Sequence, residues 1–138
     1  MATIYDARSE PARHTIYLRL SGLLREDDMR VFFERYRVLT DAFEGRKHFI
    51  LADLRGMAPA SPEAARLMGE AIGYGRARGV ACCAHVSDAA VARLQSLRLA
   101  HEATVGDDVT IDAASLAEAE RILDEARHRL YPTTRRTG

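Results

Sequence analysis

Hydrophobic positions alternate along the first part of the chain and then change period. Over residues 13–21, Ile16, Leu18 and Leu20 fall on one side of an extended backbone and Tyr17 and Arg19 on the other. That is the period-two pattern of a half-buried strand. Residues 3–8 predict a strand before it, joined through a turn at Ser9, Glu10, Pro11 and Ala12, so the chain opens on an antiparallel pair. After Asp27 and Asp28, either of which suits a helix N-cap, Met29, Phe32, Phe33, Tyr36, Leu39 and Phe43 recur at steps of three and four. This is a helix with one broad apolar stripe, and Gly45 supplies its stop.

Residues 48–54, HFILADL, are almost continuously apolar and lead into a loop containing Gly56 and Pro59. They read as a central strand covered on both faces. Ser61 then fits an N-cap, Pro62 the first helical position and Glu63 the positive end of the helix dipole. This helix runs to about Arg78, where Gly79 stops it. Residues 80–86, VACCAHV, form a second buried strand. Ser87 and Asp88 cap a helix carrying Val91, Leu94 and Leu97. A short last strand covers residues 109–112. Ala114 and Ser115 open a final helix with Leu116, Ala119, Ile122, Leu123, Ala126 and Leu130, ended by Pro132. Strand–helix alternation of this kind predicts an α/β fold: a mixed sheet of about five strands with about four helices, its parallel strands joined by right-handed crossovers. Residues 1–131 make one domain and residues 132–138 a loose tail.

Composition narrows the class. Of the 138 residues 47% are hydrophobic and 29% charged, ordinary values for a globular chain. The formal net charge is zero, without the basic excess of a nucleic-acid binder. Cys82 and Cys83 are adjacent, so in a strand they point to opposite faces and are poorly placed to bridge each other. The opening residues lack the apolar core of a signal peptide, and no stretch approaches the roughly eighteen apolar residues of a membrane span. The expected setting is a reducing cytoplasm. No glycine-rich phosphate loop, serine elbow or helical histidine pair is present, so neither enzyme activity nor a cofactor or metal is expected.

Four segments resemble the STAS family, the fold of bacterial anti-sigma factor antagonists. They are Leu20-Ser21-Gly22-Leu23-Leu24, the strand 49–54 ending in Asp53-Leu54, the run from Arg78-Gly79-Val80 to Val86-Ser87, and AVARLQSLRL at residues 90–99. Their order and spacing cover residues 15–123. The resemblance implies a STAS-like sheet and a regulatory protein partner, an anti-sigma factor or a kinase-like protein. In that family a serine opening the helix after the Asp-Leu strand is phosphorylated, and the phosphate blocks binding. Ser61 falls at that place, but the loop is one residue longer, no acidic residue precedes the serine, and Pro62 replaces a small residue. The resemblance therefore carries the fold further than the phosphoswitch.

The candidate partner-binding face comprises Asp53, Met57, Ser61, His85, Ser87 and Asp88, at the carboxyl ends of the strands where open α/β sheets present ligands. Three of them have a structural alternative. Ser61 can be a helix cap alone, and Asp53 can bond loop amides. Asp53 lacks the acidic neighbours and following lysine of a phosphoacceptor site. His85, expected near Asp53 and Ser61, is either a base or a strand-end histidine bonded to backbone. On the second helix Ala65, Gly69, Gly73 and Ala77 recur every fourth residue, and helical glycine costs about 1 kcal/mol against alanine. That stripe permits close packing, on the sheet or across a homodimer. A competing function is binding of an apolar ligand or lipid between the first helix and the sheet, in a cavity lined by Phe32, Phe33, Tyr36 and Phe43.

Overall fold

A computed structural model of the protein describes residues 3–88, 94, 95, 98 and 109–132. Strand β1 (Ile4–Glu10) runs antiparallel to β2 (Thr15–Ser21), from Ile4 opposite Ser21 to Glu10 opposite Thr15. The turn lies two residues later than the sequence pattern places it. It is a short 3₁₀ segment, Pro11–Arg13, closed by His14 at φ 52°. Pro11 has no N–H to give a ladder, so pairing continues through Glu10 and stops there.

Helix α1 (Glu26–Asp41) is capped differently from the expectation at Asp27 or Asp28. Arg25 is the N-cap, and Asp28 acts from inside the first turn, its carboxylate accepting the Arg25 N–H at 3.0 Å. Glu26, Asp27 and Asp28 all lie in that turn, where the dipole favours negative charge. The helix ends at Asp41, and the chain reverses through Glu44 and Gly45, both in left-handed conformation. Strand β3 (His48–Asp53), α2 (Pro62–Ala77), β4 (Val80–Val86), β5 (Thr110–Ala113) and α3 (Leu116–Leu130) follow.

The five strands lie in the order β1-β2-β3-β4-β5, and every neighbouring pair after the first is parallel. β3 sits at the centre with all its residues buried. Alternate residues of β3 serve two cores. Ile50 and Ala52 pack with Ile16 and Leu20 against α1 and α2, through Met29, Phe32, Leu67 and Met68. Phe49 and Leu51 pack with Ala84 and Val86 against α3, through Ala119, Leu123 and Ala126. The molecule is thus a helix–sheet–helix sandwich with α3 over β3, β4 and β5. Completely buried Phe49 is worth about 1.5–3 kcal/mol in transfer free energy alone.

A bulge interrupts the central pair: His48 faces Val80, but Phe49 faces Cys82, which leaves Ala81 as the extra residue. Cys82 then belongs to the α3 core while Cys83 packs against the other, and neither is in a disulfide. The expected helix after Ser87 and Asp88, with the STAS-like segment 90–99, lies largely outside the described residues. Residues 94, 95 and 98 are helical, and Leu94 is 62% exposed where the apolar pattern predicts burial. No described helix is long and apolar enough to cross a membrane.

Candidate functional site

Hydrogen bonds stitch the carboxyl ends of β2, β3 and β4 together. Gly22 N–H donates to Gly56 O at 2.8 Å and Ala58 N–H to Gly22 O at 3.0 Å, a one-residue parallel bridge between Gly22 and Met57. Leu54 N–H reaches Val86 O at 2.8 Å. Asp88 accepts the Gly56 N–H at 2.9 Å, tying the loop after β4 to the loop after β3. The side-chain amide of Gln95 grips Ala60 at both backbone groups, accepting its N–H at 2.9 Å and donating to its carbonyl at 3.2 Å. Gly56 is obligatory: its φ is 81°, and a β-carbon there falls 2.7 Å from the Ser21 hydroxyl.

The loop 54–61 is therefore fixed from both sides. Leu23, next to the Gly22 bridge, is 50% exposed, and Leu94, next to the Gln95 clamp, is also exposed. Ser61 and Asp88 are exposed and Ser87 is half-buried. Met57 does not belong to that face. It is 3% exposed and packs into the core between the sheet and α1–α2.

Asp53 is an ion-pair anchor. Arg55 approaches it in a fork, Nε to Oδ1 and Nη2 to Oδ2 both at 2.9 Å, and Arg19 Nη1 is 3.0 Å from Oδ1. A single loop amide, that of Arg55, adds a bond at 3.2 Å, so the guanidinium groups carry most of what loop amides were expected to do. Burial alone raises the carboxyl pKa; the Arg55 hydrogen bonds, with the charges of Arg19 and Arg55, outweigh it and hold the group below its ordinary value. A carboxylate so engaged is a poor base or nucleophile. It borders a groove of about 260 Å³ on the α3 side of the sheet, with Arg8, Tyr17 and Glu120.

His85 is not beside Asp53. Ala52 pairs with His85 and Asp53 with Val86, so the His85 ring enters the α1–α2 side while the Asp53 carboxylate faces the α3 side. The carboxylate near His85 is Asp112 on β5, directly opposite in register, with Nε2 to Oδ1 at 3.6 Å. Only the pairing of β4 with β5 brings those two together, and nothing in the hydropathy of the short last strand singles out Asp112.

Ser61 caps α2 as expected, its hydroxyl accepting the Ala64 N–H at 3.2 Å. The small-residue stripe shifts by one turn position. Ala65, Gly69 and Gly73 are half-buried and Ala77 exposed, whereas the buried face is Ala64, Leu67, Met68, Ala71 and Gly75. The close approach is at Gly75, against Tyr36 of α1 and Val80 of β4.

A cavity of about 90 Å³ lies between the sheet and the α1–α2 layer. Phe32 and Tyr36 line it with Leu20, Ile50, Met68 and Ile72, and Arg76 and His85 add polar groups. Phe33 and Phe43 are elsewhere: Phe33 stands edge-on to Tyr74, and Phe43 stacks on His48 with ring centres 4.4 Å apart. Burial drives the buried Tyr36 phenol pKa far upward. Among the described residues, no group of three His, Cys, Asp or Glu side chains converges as a metal site.

No protein-family model matches the chain, and no curated protein matches its sequence.

Proposed function

We propose that this chain is a non-enzymatic regulatory domain, STAS-like in layout, that binds another protein through the carboxyl-end platform built on residues 54–61. The observation that supports this most is the rigidity of a partly apolar surface. Backbone bridges from Gly22, the Asp88 carboxylate and the Gln95 amide hold the loop, and exposed Leu23 and Leu94 flank it. A preorganised loop loses little conformational entropy on binding, so its apolar contacts count nearly in full. The partner class is an anti-sigma factor or kinase-like protein, and two cysteines outside any disulfide suit a reducing cytoplasm. A photo-crosslinking residue placed at Leu23 or Leu94 in living cells tests it. One common protein adduct is expected at both positions and not at Val38, an exposed control on α1. No adduct, or the same adduct from Val38, sinks the reading.

The cavity favours a second reading, a small apolar ligand held between α1–α2 and the sheet. Its walls are mostly apolar side chains, with Arg76, His85 and Thr110 among the groups able to orient a polar end. Native mass spectrometry of gently purified protein tests it: an adduct lost in an Ala71→Leu variant supports the pocket, and the bare chain mass alone removes it.

A further inference from the structure

We propose that β1 is a homodimerisation edge, on which two copies pair their β1 strands antiparallel about Ala7 to make one continuous ten-stranded sheet. The argument begins with backbone direction. Phe49 N–H donates to the carbonyl of His14 at 2.7 Å, so even-numbered residues of β2 turn their backbone groups toward β3 and odd-numbered ones toward β1. The β1 partners of those odd residues are Ile4, Asp6, Arg8 and Glu10. Their N–H and C=O groups are used in the β1–β2 ladder, and those of Tyr5, Ala7 and Ser9 face outward. A second contact agrees: the Tyr5 carbonyl accepts a bond from Arg35 of α1 at 3.3 Å, outside the ladder. Among the described residues β1 has β2 as its only strand neighbour.

An open edge of this kind templates further pairing unless charge or shape blocks it. Charged side chains and proline blunt such an edge, and charges of one sign do so most because two copies then repel. This edge carries both signs, with Pro11 just beyond its end. Asp6 and Arg8 project to the same face, with side chains 63% and 58% exposed; within one copy Arg8 pairs with Glu10 at 2.7 Å and Asp6 lies 3.9 Å from Arg35, exposed pairs that a partner's charges can replace. With Ala7 on a twofold axis, each Asp6 stands directly opposite the partner's Arg8, in the non-hydrogen-bonded positions where side chains come closest. The outward groups match in the same register: Ala7 meets Ala7, and Tyr5 meets Ser9 on both sides. The two neighbouring registers, centred on Asp6 and on Arg8, set like charges opposite one another, and the next two are also worse. Centring on Ser9 brings Pro11, which has no N–H, into the ladder. Centring on Tyr5 places Ile4 opposite Asp6 and shortens the pairing. Charge and hydrogen bonding thus select one arrangement, and the occupant they fit is a second copy of this chain. Pairing also replaces the Arg35 contact at Tyr5 with the partner's Ser9 N–H and brings exposed Val31, one turn before Arg35, toward the partner's α1.

Sedimentation velocity of the full chain over a concentration series is the test, with circular dichroism to check folding. A concentration-dependent dimer is expected. Ala7→Pro removes an outward N–H without touching the β1–β2 ladder and should leave a folded monomer. Asp6→Arg and Arg8→Asp each place like charges opposite one another and should raise the dimer Kd about tenfold or more. The double variant Asp6→Arg/Arg8→Asp exchanges both signs and should bring the Kd back to near wild type. The charge variants decide the matter even where Ala7→Pro fails to fold. A wild-type chain that stays monomeric up to millimolar concentration overturns the proposal. So does a dimer that tolerates Ala7→Pro, or single charge variants that the double variant fails to rescue.

Discussion

The hydroxyl of Tyr36 on α1 fills the space that a β-carbon at Gly75 of α2 would need, and Val80 Cγ2 closes the same spot at 3.1 Å. In an exposed helix Gly→Ala stabilises by about 0.4–1 kcal/mol, because it reduces the freedom of the unfolded chain. At Gly75 the sign reverses. Gly75→Ala should destabilise by about 1–3 kcal/mol, the usual range for overpacking. A Tyr36→Phe background removes the colliding oxygen but leaves the ring, so it should recover part of the loss. Urea unfolding of the two single variants and the double variant checks this. A Gly75→Ala protein as stable as wild type, with no coupling to Tyr36→Phe, removes the close-contact account.

His48 is completely buried and held at both ring nitrogens. Nδ1 lies 2.8 Å from the Arg46 carbonyl and Nε2 2.6 Å from the Thr40 hydroxyl. A carbonyl only accepts, so Nδ1 carries the proton; burial disfavours a second proton, which leaves the ring neutral and Nε2 accepting from Thr40. Burial lowers its pKa below the ordinary 6.5, the Arg46 carbonyl opposes this, and nearby His14 adds to it. Below pH 6.5 the unfolded chain therefore takes up a proton at this position that the folded chain does not. The stability His48 contributes is complete above that pH and falls as pH drops toward the folded pKa. Nitrogen-15 NMR at neutral pH should show the His48 ring neutral, as the Nδ1–H tautomer. A His48 ring that titrates at or above 6.5 contradicts the account.

Asp53 predicts a second acid dependence, at lower pH. Its folded pKa lies below the ordinary 3.8, so its ion pairs with Arg19 and Arg55 contribute fully above that value and are lost as pH falls through the folded pKa. Asp53→Asn should lower stability at neutral pH, and the difference from wild type should close in strong acid. Both arginines are substantially solvent-exposed, which screens the pairs and keeps the effect modest. Urea midpoints of the two proteins from neutral pH downward measure it. A gap that widens with acidity would falsify this assignment.

The strands that build the core were readable because hydropathy reports burial directly. HFILADL and VACCAHV are apolar on both faces, and the Ser61-Pro62-Glu63 start marks α2 to the residue. The same uniform apolarity hides register. A strand buried on both sides has no polar face to fix which residue meets which. The bulge at Ala81 and the pairings of Asp53 with Val86 and His85 with Asp112 therefore leave no mark in the hydropathy, and the pattern sets His85 beside Asp53 where the register sets it beside Asp112. The α1 cap differs from the pattern because Asp28 works from the third helical position back to Arg25, and a cap signal does not say from which end it acts. Met57 reads as loop yet is core, because a parallel bridge to Gly22 draws it inward.

Ser61 separates a structural role from a regulatory one. Its hydroxyl accepts the Ala64 N–H, so Ser61→Ala should cost about 0.5–2 kcal/mol through the lost cap. Ser61→Asp should stay near wild type in stability, because a carboxylate caps the same N–H and meets the positive end of α2. Stability thus ranks Asp with Ser and apart from Ala. A binding switch ranks them otherwise. It groups Ala with Ser, because neither adds charge at the exposed corner beside the 54–61 loop, and it sets Asp apart as a charged mimic of a phosphate. Cross-link yield from positions 23 and 94, compared at a temperature where all three proteins are folded, reads that second ranking. Loss of adducts in Ser61→Asp with retention in Ser61→Ala identifies Ser61 as a charge-sensitive part of the partner face. Equal yields from all three leave Ser61 as a helix cap and move the recognition elements to Leu23, Leu94 and Asp88.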